Sequence, residues 1–207
     1  MAIYHRKYKN YKEYLKHQKR KLDIGLEKKI KKFMPDSFQK IAENTKTRIK
    51  VFEKYIKKEK ILCLGARLGH EVVAFRKFGY TDTIGIDINP GKNNPYVIKG
   101  DFHKTKFNNE SFDTIYTNSI DHVWNLRIFS KEINRILVFK GKLILEIDHL
   151  LKKTKQRRKE WIKKPSKYES LIYDSLNDIK KQLKEFNFID SFPSAHEGFL
   201  IAIFEKK

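Results

Sequence analysis

Two glycines followed by an acid carry the most legible chemistry in this chain of 207 residues: Gly65 and Gly69 in the stretch from Lys60 to Glu71, and Asp87 at the end of Thr83–Asp87. Glycines at a strand-to-helix turn let the backbone come close to a ligand, and an acid ending the next strand can accept hydrogen bonds from both hydroxyls of a ribose. That pairing suits an adenosine-bearing ligand. A second group, Asn118, Asp121 and His122, brings an amide, a carboxylate and an imidazole close together in sequence. Asp121 and His122 could serve as a general base or orient an acceptor, or could simply stiffen a loop through a local hydrogen bond. Asp148 and His149 repeat the acid and imidazole farther on, where ordinary strand-end residues are the simpler reading. The seven histidines show no spacing suited to a metal, so no metal site is expected.

The elements that must position these groups follow from hydrophobic pattern. Ile61 to Leu64 form a short apolar run bounded by Gly65, which predicts a buried strand; Val72, Val73, Phe75 and Phe78 then recur at helical spacing up to Gly79. Thr83–Asp87, Tyr96–Asp101, Phe112–Asn118 and Lys140–Asp148 are predicted as further strands, with a helix over Phe129–Val138 before the last. Between Asp87 and Tyr96 the run is short and rich in Asn, Pro and Gly, which predicts a loop where a crossover helix would ordinarily sit. Alternating strands and helices imply an α/β sheet. Ligands of open α/β sheets bind outside the carboxyl ends of the strands, which puts loops 65–71, 87–95, 118–127 and 148–165 on one rim.

In this order the pieces resemble the class I S-adenosylmethionine-dependent methyltransferases, over roughly Lys60 to Asp148. The Lys140-Gly141 pair before an apolar strand looks like that family's paired-glycine turn with one glycine replaced. The resemblance implies a Rossmann-like fold, a seven-stranded mixed sheet with helices on both faces and a closing antiparallel hairpin. It also implies S-adenosylmethionine as cofactor: Gly65, Gly69 and Asp87 at its methionine and ribose, Asp101 accepting from the adenine amino group with Phe102 alongside the ring, and Asn118 near the methionine portion.

Two positions depart from the family pattern. Cys63 stands where an acid would help anchor the methionine ammonium, and Glu71 is the candidate to replace it. Arg67 occupies a glycine position, where its side chain could obstruct the ligand or pair with the ligand carboxylate. A dinucleotide-binding oxidoreductase is disfavoured, because the pyrophosphate would require a glycine at Arg67. The strand-end signature of enzymes that methylate exocyclic amines of nucleic-acid bases is also missing: the chain runs Asn118, Ser119, Ile120, Asp121. The acceptor is therefore left open among RNA or DNA, a small molecule and a glycan. The alternative is a catalytically silent member used as a nucleic-acid-binding or assembly module.

Residues 1–59 are expected to form a basic helical extension and 60–207 the cofactor-binding domain. A helix is predicted after Asp36-Ser37, with Phe38, Ile41, Ile49, Phe52 and Ile56 on one face. Upstream, Tyr4, Tyr8, Tyr11 and Tyr14 alternate with basic residues; they could stack bases, although the spacing more simply makes a packing stripe. Another helix is expected from Ser166, carrying Leu171, Ile172, Leu176, Ile179 and Leu183. The net charge of +21 invites a polyanion, and segments 1–32 and 152–164 are the candidate contacts with nucleic acid. Lysine outnumbers arginine, however, as an AT-rich coding sequence would produce whatever the function. No apolar run is long enough to span a membrane and the N-terminus resembles no secretory signal, so a cytoplasmic protein is expected. The single cysteine, Cys63, excludes an internal disulfide and reads as a small core residue.

Overall fold

A computed structural model describes residues 3–23, 34–56, 60–148, 154–164 and 167–207. In chain order the elements are β1 (Ile3–His5), α1 (Tyr11–Asp23), α2 (Met34–Phe52), β2 (Ile61–Leu64), α3 (His70–Lys77), β3 (Thr83–Asp87), β4 (Val97–Lys99), β5 (Phe112–Thr117), α4 (Leu126–Ile136), β6 (Leu137–Asp148), α5 (Thr154–Lys163), β7 (Leu171–Tyr173), α6 (Leu176–Gln182), β8 (Phe186–Pro193) and β9 (Phe199–Lys206). Seven strands make one sheet in the order β4-β3-β2-β5-β6-β9-β8. β2 to β6 run parallel, and β9 pairs antiparallel with both β6 and β8. The chain leaves β2 toward β3 and β4, then returns to lay β5 on the other side of β2. That reversal opens a crevice above the carboxyl ends of β2 and β5, where α/β sheets hold ligands.

Strand alternation divides the core between two faces. Leu62, Leu64, Ile115, Leu143 and Leu145 point to one face, under Phe129, Ile133 and Ile136 of α4 and Ile179 of α6. Ile61, Cys63, Tyr116 and Ile144 point to the other, under Ile49 and Phe52 of α2 and Val72 and Phe75 of α3. Cys63 is thus a core residue, and burial pushes its thiol well above the usual range. As expected, no helix joins β3 to β4.

Several boundaries differ from the sequence-based expectation. α2 begins at Met34, ahead of Asp36-Ser37. α4 begins at Leu126 because the Asn125 side chain caps it, accepting from the amides of Arg127 and Ile128 at 3.0 Å. Lys140 lies within β6, not at its start, and adopts φ 58°, the left-handed conformation the replaced glycine would take. The stretch 148–165, read as a loop, contains α5. The helix expected from Ser166 is instead strand β7 followed by α6. β7 pairs antiparallel with β1, Tyr4 opposite Ile172, so the N-terminal extension is not purely helical. Strand formation at 171–173 depends on a partner far away in the chain, which a local pattern cannot register.

Candidate active site

The turn from Gly65 to Gly69, between β2 and α3, builds one side of the crevice. Gly65 and Gly69 have φ of 66° and 94°, and between them Arg67 is also left-handed at φ 46°. A Cβ at Gly65 would lie 2.8 Å from Ser119 Oγ, and one at Gly69 would lie 2.6 Å from Tyr96 Cβ, so neither position accepts a side chain. The turn is tied to β3 through Asp87: its Oδ2 accepts from the Arg67 amide (3.1 Å) and its Oδ1 from the Asn89 amide (2.8 Å). Asn94 folds the 88–96 loop back onto the turn, donating to the carbonyls of Arg67 and Pro90. The result is a narrow cleft of about 480 Å³, mouth included, with Gly65, Arg67, Asp87, Phe102, Ser119 and His122 in its walls. Tyr14 and Gln18 of α1 close it from above, and Asn89 donates to the Lys19 carbonyl. The 88–96 loop is therefore covered by the N-terminal extension.

Asp101, next in the chain to the cleft residue Phe102, accepts three hydrogen bonds. Its Oδ1 accepts from the His103 amide (2.9 Å) and from His103 Nδ1 (3.1 Å), while Oδ2 accepts from the Tyr11 hydroxyl. The tautomer of His103 follows from its other contact, since Nε2 accepts the Trp124 amide at 3.0 Å and the proton must sit on Nδ1. Burial alone would raise the Asp101 pKa, but the bonds from His103 and Tyr11 prevail and hold it below the usual carboxylate range. Burial and the Asp101 bond push the Tyr11 phenol far upward, so Tyr11 remains a donor.

Past Ser119 the cleft widens into a cavity of about 750 Å³, mouth included. Among the described residues four acids line it, Asp121, Glu146, Asp148 and Glu169, against two arginines, Arg48 and Arg67. The Arg48 charge is matched by buried Glu146 at 2.8 Å, and Glu146 also accepts from Tyr116 and Ser194, both at 2.5 Å. Tyr173 and the stacked pair His196 and Phe199 complete the wall. His122 lines both cleft and cavity. Its Nδ1 lies 2.9 Å from the Tyr168 carbonyl and must donate there, which puts the lone pair of the neutral ring on Nε2. Asp121 Oδ2 stands 3.7 Å from Nε2, close enough to stabilise a charged imidazole but too far for a hydrogen bond.

The structure brings Gly65, Arg67, Asp87 and Phe102 to the cleft and Asn118, Asp121 and His122 to the adjoining cavity, with Arg67 and His122 shared. Glu71 lies behind them at the start of α3, its Oε1 accepting from Asn118 Nδ2 at 3.3 Å. Its Oε2 is buried without a hydrogen-bond partner among the described residues. Burial raises its pKa, against the lowering effect of Arg48 and Arg67. Gly69 shapes the turn from beneath, and Asp101 meets Tyr11. Sequence reasoning missed His103, Arg48, Glu146 and Glu169, which carry no motif. It did mark Tyr11 and Tyr14, and the packing reading accounts for them: they stack on each other at 5.3 Å and pack against His103 and Trp124. Of the basic run, Lys152 and Lys153 lie outside the described residues. So does His149.

Residues 62–145 match the methyltransferase domain family. No curated protein matches the sequence. Solved structures that it resembles include the PH0226 protein of Pyrococcus horikoshii, 22% identical over 78% of this chain and 88% of that one, with a TM-score of 0.63. An S-adenosylmethionine-dependent methyltransferase of Thermotoga maritima, described as a possible histamine N-methyltransferase, is 16% identical over 90% of this chain and 98% of that one, TM-score 0.62. A third, an S-adenosylmethionine-dependent methyltransferase of Mesorhizobium loti, is 12% identical over 77% and 98%, TM-score 0.58. At these identities the structural likeness speaks for the fold. Among the described residues no helix is long and apolar enough to cross a membrane.

Proposed function

Starting from a chain that belongs to the class I S-adenosylmethionine-dependent methyltransferases, we propose that it transfers the methyl group to a basic amine held in the carboxylate-lined cavity. The cofactor is S-adenosylmethionine; when bound it supplies a sulfonium methyl group open to in-line displacement. The residues of the cleft fit it. Each oxygen of Asp87 accepts one backbone amide and keeps a lone pair for a ribose hydroxyl. Phe102 offers a ring face, and the absent side chain of Gly65 leaves the backbone accessible. Glu71, buried behind the wall and bonded to Asn118 of the cavity, adds negative charge that suits an ammonium, and Arg67 suits a carboxylate.

The observation that carries the acceptor class is the charge of the cavity. On a protein of net charge +21, four carboxylates against two arginines make a local reversal of sign. Such a wall attracts an ammonium and repels phosphate. It also acts at the right moment: a neutral amine becomes positive as it gains the methyl group, so fixed carboxylates favour the transition state over the ground state. His122 Nε2 is placed to take the proton that the acceptor nitrogen must lose, with Asp121 stabilising the imidazolium. The histamine assignment attached to the Thermotoga maritima structure is of the same chemical class.

Transfer of a labelled methyl group from S-adenosylmethionine to a panel of primary and secondary amines, short RNA and DNA, and neutral glycans tests this reading. Labelled amines are the expected product. Labelling of nucleic acid alone would overturn the amine reading and return the basic segments 1–32 and 152–164 to the active complex. Cofactor binding with no transfer to any acceptor, together with nucleic-acid affinity that falls steeply with salt, would favour the silent binding module.

A further inference from the structure

The N-terminal arm is fastened over the cleft at several points. β1 pairs with β7, the Arg6 amide donates to the Ser170 carbonyl, and Gln18 donates to the Tyr168 carbonyl and Ser170 Oγ. Tyr14 is fully buried and donates to the His122 carbonyl at 3.1 Å. At the centre of this arm the Tyr11 hydroxyl donates to Asp101 Oδ2, while His103 holds Oδ1 with two donors. Oδ2, with one donor against the two on Oδ1, is thus the oxygen of Asp101 left for a ligand, and the Tyr11 side chain crowds its approach.

We propose that Tyr11 and the adenine amino group are alternative partners of Asp101 Oδ2, so that α1 is a latch which must release Asp101 before the cofactor can seat. The proposal rests on the cofactor reading above, in which Asp101 meets adenine. Three features make the latch releasable. Tyr11 pays for leaving Asp101 with one hydrogen bond, whereas the β1 and β7 pairing tethers the arm independently of it. The rings of Tyr11, Tyr14 and Trp124 lie 4.8–6.4 Å apart between centroids, and the phenol that leaves Asp101 is neutral. Asp101 itself is fixed by His103, whose tautomer is set by the Trp124 amide, so the acceptor geometry persists when the phenol departs.

Calorimetry with S-adenosylhomocysteine on the wild type and on Tyr11→Phe tests the latch. The variant keeps the ring contacts and removes the competing donor; thermal unfolding of both proteins verifies that it is folded. The expected result is affinity three- to tenfold higher in Tyr11→Phe, a gain that disappears for the ligand analogue lacking the 6-amino group, which does not need Asp101. Equal or weaker binding by the variant would overturn the latch while leaving the cofactor reading standing. A gain of the same size for both ligands would also overturn it, since loosening of α1 would then suffice without competition at Asp101. Binding undetectable in both proteins at millimolar ligand would remove the cofactor reading and the latch together.

Discussion

The amide of Arg67 donates to the carboxylate of Asp87 at 3.1 Å from a backbone held at φ 46°. Arg67 therefore keeps the conformation of the glycine it replaces and keeps the turn closed on β3, while the residue lines both the cleft and the adjoining cavity. A β-carbon in this region costs about 1–2 kcal/mol, so the arginine is held at some expense of stability.

Replacement of Arg67 by glycine should accordingly stabilise the fold by about 1 kcal/mol in denaturant unfolding. At the same time affinity for S-adenosylhomocysteine should fall severalfold through loss of the carboxylate contact. A rise in both quantities would show that the side chain obstructs the site.

Asp87→Ala should weaken cofactor binding by about 1–3 kcal/mol, as ribose hydroxyls lose a charged acceptor. The same change leaves the amides of Arg67 and Asn89 without their partner. A lower melting temperature is thus expected alongside the weaker binding, and unchanged affinity measured by calorimetry would remove Asp87 from the cofactor site.

His122→Gln should lower the turnover of an amine acceptor by about 10²–10⁴-fold, the usual range for a lost general base. Cofactor affinity should stay within a few-fold of wild type. If turnover is preserved, the proton leaves by another route and His122 is only a wall residue.

Stability should depend on pH through His70, whose pKa burial and the nearby Arg67 and Arg48 lower from 6.5 to about 4. Below pH 6.5 the unfolded chain binds a proton that the folded protein refuses, so the stabilising difference is complete above 6.5 and lost progressively as pH falls toward 4. Melting temperatures measured from pH 7 to 4 should fall more steeply in the wild type than in His70→Gln. Parallel curves would mean that other groups dominate acid unfolding.

The β2 turn and β3 were legible in sequence because their signals are local: four apolar residues before Gly65, a helical stripe to Gly79, an acid ending Thr83–Asp87. Their geometry, the turn beneath the cleft and Asp87 at its wall, follows from short-range sterics and strand polarity. Arg67 was legible as a departure but not in its consequence, since its left-handed backbone depends on the Asp87 contact across β2 and β3.

What the sequence determines by itself is therefore the succession of β2 to β6 along the chain, the glycine turn after β2 and the acid that ends β3, all set by periodicity and by backbone constraints acting within a few residues. Tertiary structure alone decides the rest. It pairs β1 with β7, places Tyr11 on Asp101, balances Arg48 with Glu146, and gathers Asp121, Asp148 and Glu169 around one cavity of a basic protein. These are contacts between residues tens to more than a hundred positions apart, fixed by the packing of α1 and α2 on the sheet. A local pattern of charge reports how many lysines a segment carries, but the sign of the field in the cavity depends on which carboxylates the fold brings together.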